Sequence, residues 1–130
     1  MSPHSHPAIV LFAHGARDPE WATPFAGIKA RVERELPGVP VVLSFLELMP
    51  PTLDEAIEGL VRSGADSVEV VPIFMARAGH VKRDLPLLVD ALRRAYPGVA
   101  IRLAQTAGEA DPVMDAIARW VVSLAQQPGA

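Results

Sequence analysis

The chain has 130 residues, of which 50% are hydrophobic, 21% charged and 5% aromatic. That length suits one core, since two would hold about 65 residues each and be marginal. A net charge of −3 leaves no positive excess for phosphates and argues against a nucleic-acid partner. The longest apolar run, Ala8 to Ala13, is too short for a membrane span. The absence of cysteine removes disulfides, thiolate zinc sites and cysteine nucleophiles together. Residues 1–7 lack the basic and apolar regions of a signal peptide and read as a flexible tail. The expectation is a soluble cytoplasmic protein with a single domain over residues 8–126.

Short apolar runs alternate with amphipathic stretches along the chain. Ala8 to Ala13 is apolar on both faces, as a strand buried in a parallel sheet is. Trp21, Phe25, Ile28, Val32 and Leu36 then keep helical spacing until Pro37-Gly38 stops them. Val39 to Leu46 reads as the second strand. A helix follows through Leu53, Ala56, Ile57, Leu60 and Val61, opened by Pro51-Thr52 and ended by Gly64. Thr52 and Glu55 have the spacing of a capping box. Val68 to Phe74 is the third strand, and Leu85, Leu88, Val89 and Leu92 mark the third helix, stopped at Pro97-Gly98. Val99 to Leu103 is the fourth strand. Asp111 to Ala125 closes the chain as a helix with Val113, Met114, Ile117, Ala118, Val121 and Leu124 on its apolar side. Four βα units in succession predict an α/β fold: a four-stranded parallel sheet with helices on both faces.

Three metal-ligating side chains recur at matched places. His14 follows the first strand, Glu47 the second, and His80 lies in the loop after the third. Each is separated from the next by 33 residues, about one βα unit. Open parallel sheets bind ligands beyond the carboxyl ends of their strands, near the switch in strand order. If the first strand lies between the second and third, the three side chains converge there. Two imidazoles and one carboxylate suit Co²⁺, Fe²⁺, Ni²⁺ or Zn²⁺, and three protein ligands leave a position open for chemistry. Taken singly, His14 reads as a satisfied histidine and Glu47 as a helix-entry carboxylate. Their shared location favours a site. His4 and His6 belong to the tail.

The flanks leave alternatives open. Gly15 either lets backbone approach a ligand or permits the turn, and Arg17 with Asp18 is either a site pair or a solvated helix entry. The stretch Phe74-Met75-Ala76-Arg77-Ala78-Gly79-His80 is long for a βα loop, and such loops carry function. Arg77, Lys82 and Arg83 surround His80 with positive charge, which either attracts a polycarboxylate or forms a solvated cationic face. Trp21 and Phe25 read as core, and Trp120 as core or a subunit contact.

Four segments together resemble a known family: His14-Gly15-Ala16-Arg17-Asp18-Pro19, Phe45-Leu46-Glu47-Leu48, Val70-Val71-Pro72-Ile73-Phe74 and Gly79-His80-Val81-Lys82-Arg83-Asp84-Leu85-Pro86. The chain is similar to the small, single-domain sirohydrochlorin chelatases of the CbiX type, over residues 8 to 125. The resemblance implies a chelatase-like three-layer fold, a homodimer, and insertion of a divalent metal into a tetrapyrrole without ATP or an organic cofactor. Co²⁺ is favoured as the metal, Fe²⁺ next, with Ni²⁺ also compatible. It further implies that His14 and His80 bind the metal, that His14 accepts a proton, and that Glu47 is the acidic residue of the site. Residues 74–79 fall on the loop that contacts the macrocycle. Arg17, Arg77, Lys82 and Arg83 are the candidates to meet substrate carboxylates.

Two departures from the family pattern stand out. Ala16 occupies a place where Ser is common, and Gln105-Thr106-Ala107-Gly108 replaces the usual Pro-Leu-Gly after the fourth strand, so no chemistry is assigned there. The rival of another class is a non-catalytic carrier of Co²⁺ or Ni²⁺. A phosphohistidine phosphatase would need Arg where Ala13 stands, and a metal-free interaction module would show no metal affinity beyond the tail.

Overall fold

The computed structural model describes residues 6–76, 79 and 81–128. Its strands are β1 (Pro7–Ala13), β2 (Val41–Phe45), β3 (Ser67–Pro72) and β4 (Ala100–Leu103). Its helices are α1 (Thr23–Glu35), α2 (Leu53–Arg62), α3 (Val81–Ala95) and α4 (Asp111–Ala125). The strands form one parallel sheet in the order β2-β1-β3-β4. This is the predicted α/β sheet, and β1 lies between β2 and β3 as the convergence of the three strand ends requires.

The two faces of the sheet differ. Side chains alternate along a strand, and Ala8, Val10, Phe12, Val68, Val70 and Ile101 all join one core. Leu53, Ile57 and Leu60 of α2 and Val81, Leu85, Val89 and Leu92 of α3 close that core from above. The capping box holds as predicted: Glu55 N–H donates to Thr52 Oγ1 at 3.2 Å, and Thr52 N–H donates to Glu55 Oε1 at 2.9 Å. On the opposite face α1 packs against β2 and β1. The part over β3 and β4 carries an ion pair instead, with the Arg102 guanidinium on Glu69 Oε1. The Arg102 side chain there is 77% exposed.

Several boundaries depart from the sequence reading. Pro7, read as tail, is the first residue of β1, and His6 is held beside it because its N–H donates to Asp66 Oδ1 and its carbonyl accepts Asp66 N–H, each at 3.0 Å. Trp21 belongs to a 3-10 turn, Pro19–Ala22, because Asp18 Oδ1 accepts Glu20 N–H at 2.9 Å and caps it ahead of α1. The third strand stops at Pro72, whose ring supplies no N–H to a ladder; the next donor, Ile73 N–H, reaches Phe12 O at 2.7 Å. The third helix starts at Val81, four residues before Leu85, and places Pro86 inside it. Pro86 leaves unmade the bond to the Lys82 carbonyl, and its presence hid the earlier start. α4 has no buried residue, and Trp120, read as core or a subunit contact, is 62% exposed, which removes the core reading.

Candidate metal centre

β1 ends at Ala13 and delivers His14 to the carboxyl edge of the sheet. The ring of His14 is exposed on its outer side and stacked on Phe74 on its inner side. The ring centroids are 4.4 Å apart and the planes 28° from parallel. Phe74 is itself 4% exposed and meets Phe12 at 5.8 Å, so it is a floor beneath His14. The His14 backbone is also held: its carbonyl accepts Trp21 Nε1–H at 2.6 Å. Trp21, expected in the core, is 44% exposed and packs edgewise on Phe25 at 5.8 Å. It is a brace for the histidine.

The loop after β2 lies against the loop after β1. Leu46 N–H donates to Ala13 O at 2.8 Å, and a Cβ on Gly15 would fall 1.6 Å from Glu47 O. Gly15 is therefore required by close approach of the Glu47 backbone, a reason that neither of its two sequence readings named. Glu47 is exposed, two residues past β2. Leu48, beside it, has a φ of 70° and is 57% exposed. Left-handed backbone costs a leucine about 1–2 kcal/mol, and such residues cluster at sites of function.

The loop after β3 passes below His14 and turns outward. Met75 is 66% exposed, and Ala76 and Gly79 are exposed, with Gly79 at φ 58°. Lys82 and Arg83 are exposed on the first turn of α3, and Arg17 is exposed after β1. Asp18 resolves to a turn cap. His80, Arg77 and Ala78 lie outside the described residues. Among the described residues no three His, Asp or Glu side chains are close enough to hold an ion together. A small apolar cleft of about 120 Å³ lies at the same edge, lined by Leu46, Val81, Asp84, Leu85 and Leu88. A depression of about 490 Å³ lies by His6, Pro40 and Gly64 at the opposite edge. It holds no catalytic group of the three-residue set.

The family model described as CbiX matches residues 8–123. The chain belongs to the CbiX family. It is 34% identical over 115 residues to the sirohydrochlorin ferrochelatase of Bacillus subtilis, covering 85% of this chain and 42% of that one. It is 35% identical over 99 residues to the sirohydrochlorin cobaltochelatase of Saccharolobus solfataricus, covering 73% and 76% respectively. The crystal structure of a CbiX protein from Marinobacter aquaeolei VT8 superposes with a TM-score of 0.80 at 28% identity, over 92% of this chain and 98% of that one. The chain thus spans about two fifths of the Bacillus relative and about three quarters of the archaeal one.

Within this CbiX protein the sequence pattern had located the strand-end residues His14 and Glu47. It had no signal for Trp21 as a brace, nor for the strained Leu48. Gly108 was also missed, and it lies against the backbone of Met75. A lone glycine in a loop is its only trace in the sequence.

Proposed function

We propose that this CbiX protein is a sirohydrochlorin chelatase, with Co²⁺ the favoured substrate metal and Fe²⁺ the next. The observation that carries this reading is His14, exposed at the carboxyl end of the central strand and floored by Phe74, with its neighbour Gly15 seated against the Glu47 carbonyl. Relatives named for ferrochelatase and for cobaltochelatase activity support the reaction class and leave both metals open.

Metal insertion replaces two pyrrole N–H protons with one divalent ion and releases those protons. His14 and His80 hold the incoming ion as neutral imidazoles, with Glu47 as the anionic ligand. Phe74 and Trp21 fix His14 from below and behind, so the exposed side of its ring faces the substrate. Imidazoles exchange protons near neutrality, and His14 or Glu47 takes a pyrrole proton as the ion leaves for the macrocycle. Met75 and Ala76 offer apolar contact to the ring. Arg17, Arg77, Lys82 and Arg83 meet peripheral carboxylates. No nucleotide or organic cofactor takes part in this scheme.

The same reading includes a cytoplasmic homodimer built from residues 8–126 as one domain. Support for the dimer is a match between two uncovered surfaces of one chain. α4 carries an exposed apolar side, with Val121 at 53% and Ile117 at 39%, while among the described residues no helix packs on the sheet face over β3 and β4. A second copy that lays α4 across that face covers both.

The deciding experiment is anaerobic metallation of sirohydrochlorin followed by visible absorption, with Co²⁺, Fe²⁺ and Ni²⁺ in parallel. Enzyme-dependent insertion is expected. Folded protein that binds the ions yet gives no acceleration with any of them is a carrier, and the chelatase reading fails.

A further inference from the structure

The loop after β4 is a segment to which the sequence assigns no chemistry. In the structure its 3-10 turn, Ala107–Glu109, lies directly on the backbone of the loop after β3. Gly108 N–H donates to Phe74 O at 2.8 Å. A Cβ on Gly108 would lie 1.8 Å from Met75 O and 2.5 Å from Met75 Cα. Both obstacles are backbone, so neither moves aside as a flexible side chain does. Space, rather than an unusual dihedral angle, is what requires glycine here.

The contact leads straight to the metal ligand. The carbonyl that accepts from Gly108 belongs to Phe74, and the Phe74 ring is the floor under the His14 imidazole. We propose that Gly108 is a positioning residue for metal insertion. By letting the β4 loop lie flush on Phe74 and Met75, it sets the height of the Phe74 ring and the direction in which His14 presents its nitrogens. This inference rests on the reading of His14 as a metal ligand. Supports of ligating histidines are worth about 10–100-fold in metal affinity.

The test compares Gly108→Ala with Phe74→Leu in the full chain. Gly98→Ala is the control, because its Cβ meets nothing within 4 Å. The first readout is the ring-current displacement of the His14 ring protons in the metal-free protein. Wild type and Gly98→Ala are expected to share it, Phe74→Leu to abolish it, and Gly108→Ala to lose most of it. The second readout is Co²⁺ affinity, expected to fall about tenfold in Gly108→Ala. The double variant is expected to bind no more weakly than Phe74→Leu alone, since both changes act through one ring.

A Gly108→Ala protein that keeps the His14 shift and Co²⁺ affinity of the control overturns the proposal, as do losses that multiply in the double variant. A wild-type measurement covers an alanine variant that does not fold. Zn²⁺ loading is expected to move the Gly108 amide resonance, and an unmoved resonance at full His14 occupancy overturns the proposal. The ring-current comparison needs neither metal nor tetrapyrrole, so it decides the positioning role even if the wild type proves not to metallate sirohydrochlorin.

Discussion

Gly15 and the Glu47 carbonyl are in such close contact that a single methyl group on Gly15 would lie 1.6 Å from that oxygen. The loops after β1 and β2 are therefore seated on each other by their backbones. His14 and Glu47, the residues that these loops carry, share a fixed spacing for that reason. The arrangement brings together at one sheet edge two residues that stand 33 positions apart in the chain.

Gly15→Ala is expected to separate these loops. Overpacking of this kind costs about 1–3 kcal/mol, and the shift of Glu47 is expected to lower metallation by about tenfold or more, since misplacements near 1 Å cost up to 100-fold. Thermal unfolding and anaerobic kinetics on the same preparation check both. A variant with wild-type kinetics refutes the seating argument.

His80→Ala and His14→Ala are expected to abolish metallation while leaving folded protein. His14 lies outside the apolar core cluster, so its loss leaves the core undisturbed. Circular dichroism reports the fold, and Co²⁺ titration reports the lost ligand. Near-full activity of either variant under limiting metal removes that residue from the ligand set.

Lys82→Ala, Arg83→Ala and Arg17→Ala are expected to raise KM for a polycarboxylated tetrapyrrole more than they lower kcat. Exposed charges act mainly on encounter and are screened within about 8 Å at physiological ionic strength. The wild-type KM is accordingly expected to rise with salt, and the variants to lose much of that slope. A salt-independent KM assigns these residues to the solvated surface.

Trp120→Asp combined with Val121→Asp is expected to produce monomers. Both side chains are more than half exposed on α4, so the folded single chain loses little. Sedimentation velocity across a concentration series reads the outcome. A wild type that is monomeric at all concentrations, with α4 protected from amide exchange, shows the helix folded onto its own sheet instead.

Ser44→Ala is expected to be neutral or stabilising by about 1 kcal/mol. Ser44 lies at the end of β2 with no exposed surface, and its hydroxyl has no hydrogen-bond partner among the described residues. Chemical denaturation measures the change, and a loss above that magnitude indicates an ordered water on Ser44 Oγ.

What the sequence conveyed is tied to periodicity. Val10 and Phe12 alternate in register with Val70 and Pro72, and Leu53, Ile57 and Leu60 repeat at helical spacing, so the sheet and α2 were legible. His14 and Glu47 were legible because strand ends are where such a sheet collects its chemistry. The remainder depends on contacts without a period. Nothing local to Gly108 announces Met75, more than thirty residues earlier, and nothing in the apolar spacing of α4 distinguishes a helix packed on its own sheet from one left uncovered. Trp21 fits the helical pattern numerically, but Asp18 and Pro19 direct the backbone into a tighter turn first.

His6 and His14 mark the two ends of β1. Its seven residues hold them about 25 Å apart at the usual strand rise of ~3.3 Å per residue. His6 is pinned at its end, where its N–H meets Asp66 Oδ1 at 3.0 Å. An ion caught at His6 therefore sits at the far rim of the sheet from His14. In a titration such an ion adds to the stoichiometry without adding to turnover. Trimming the chain before Pro7 is the simple way to make the two counts agree.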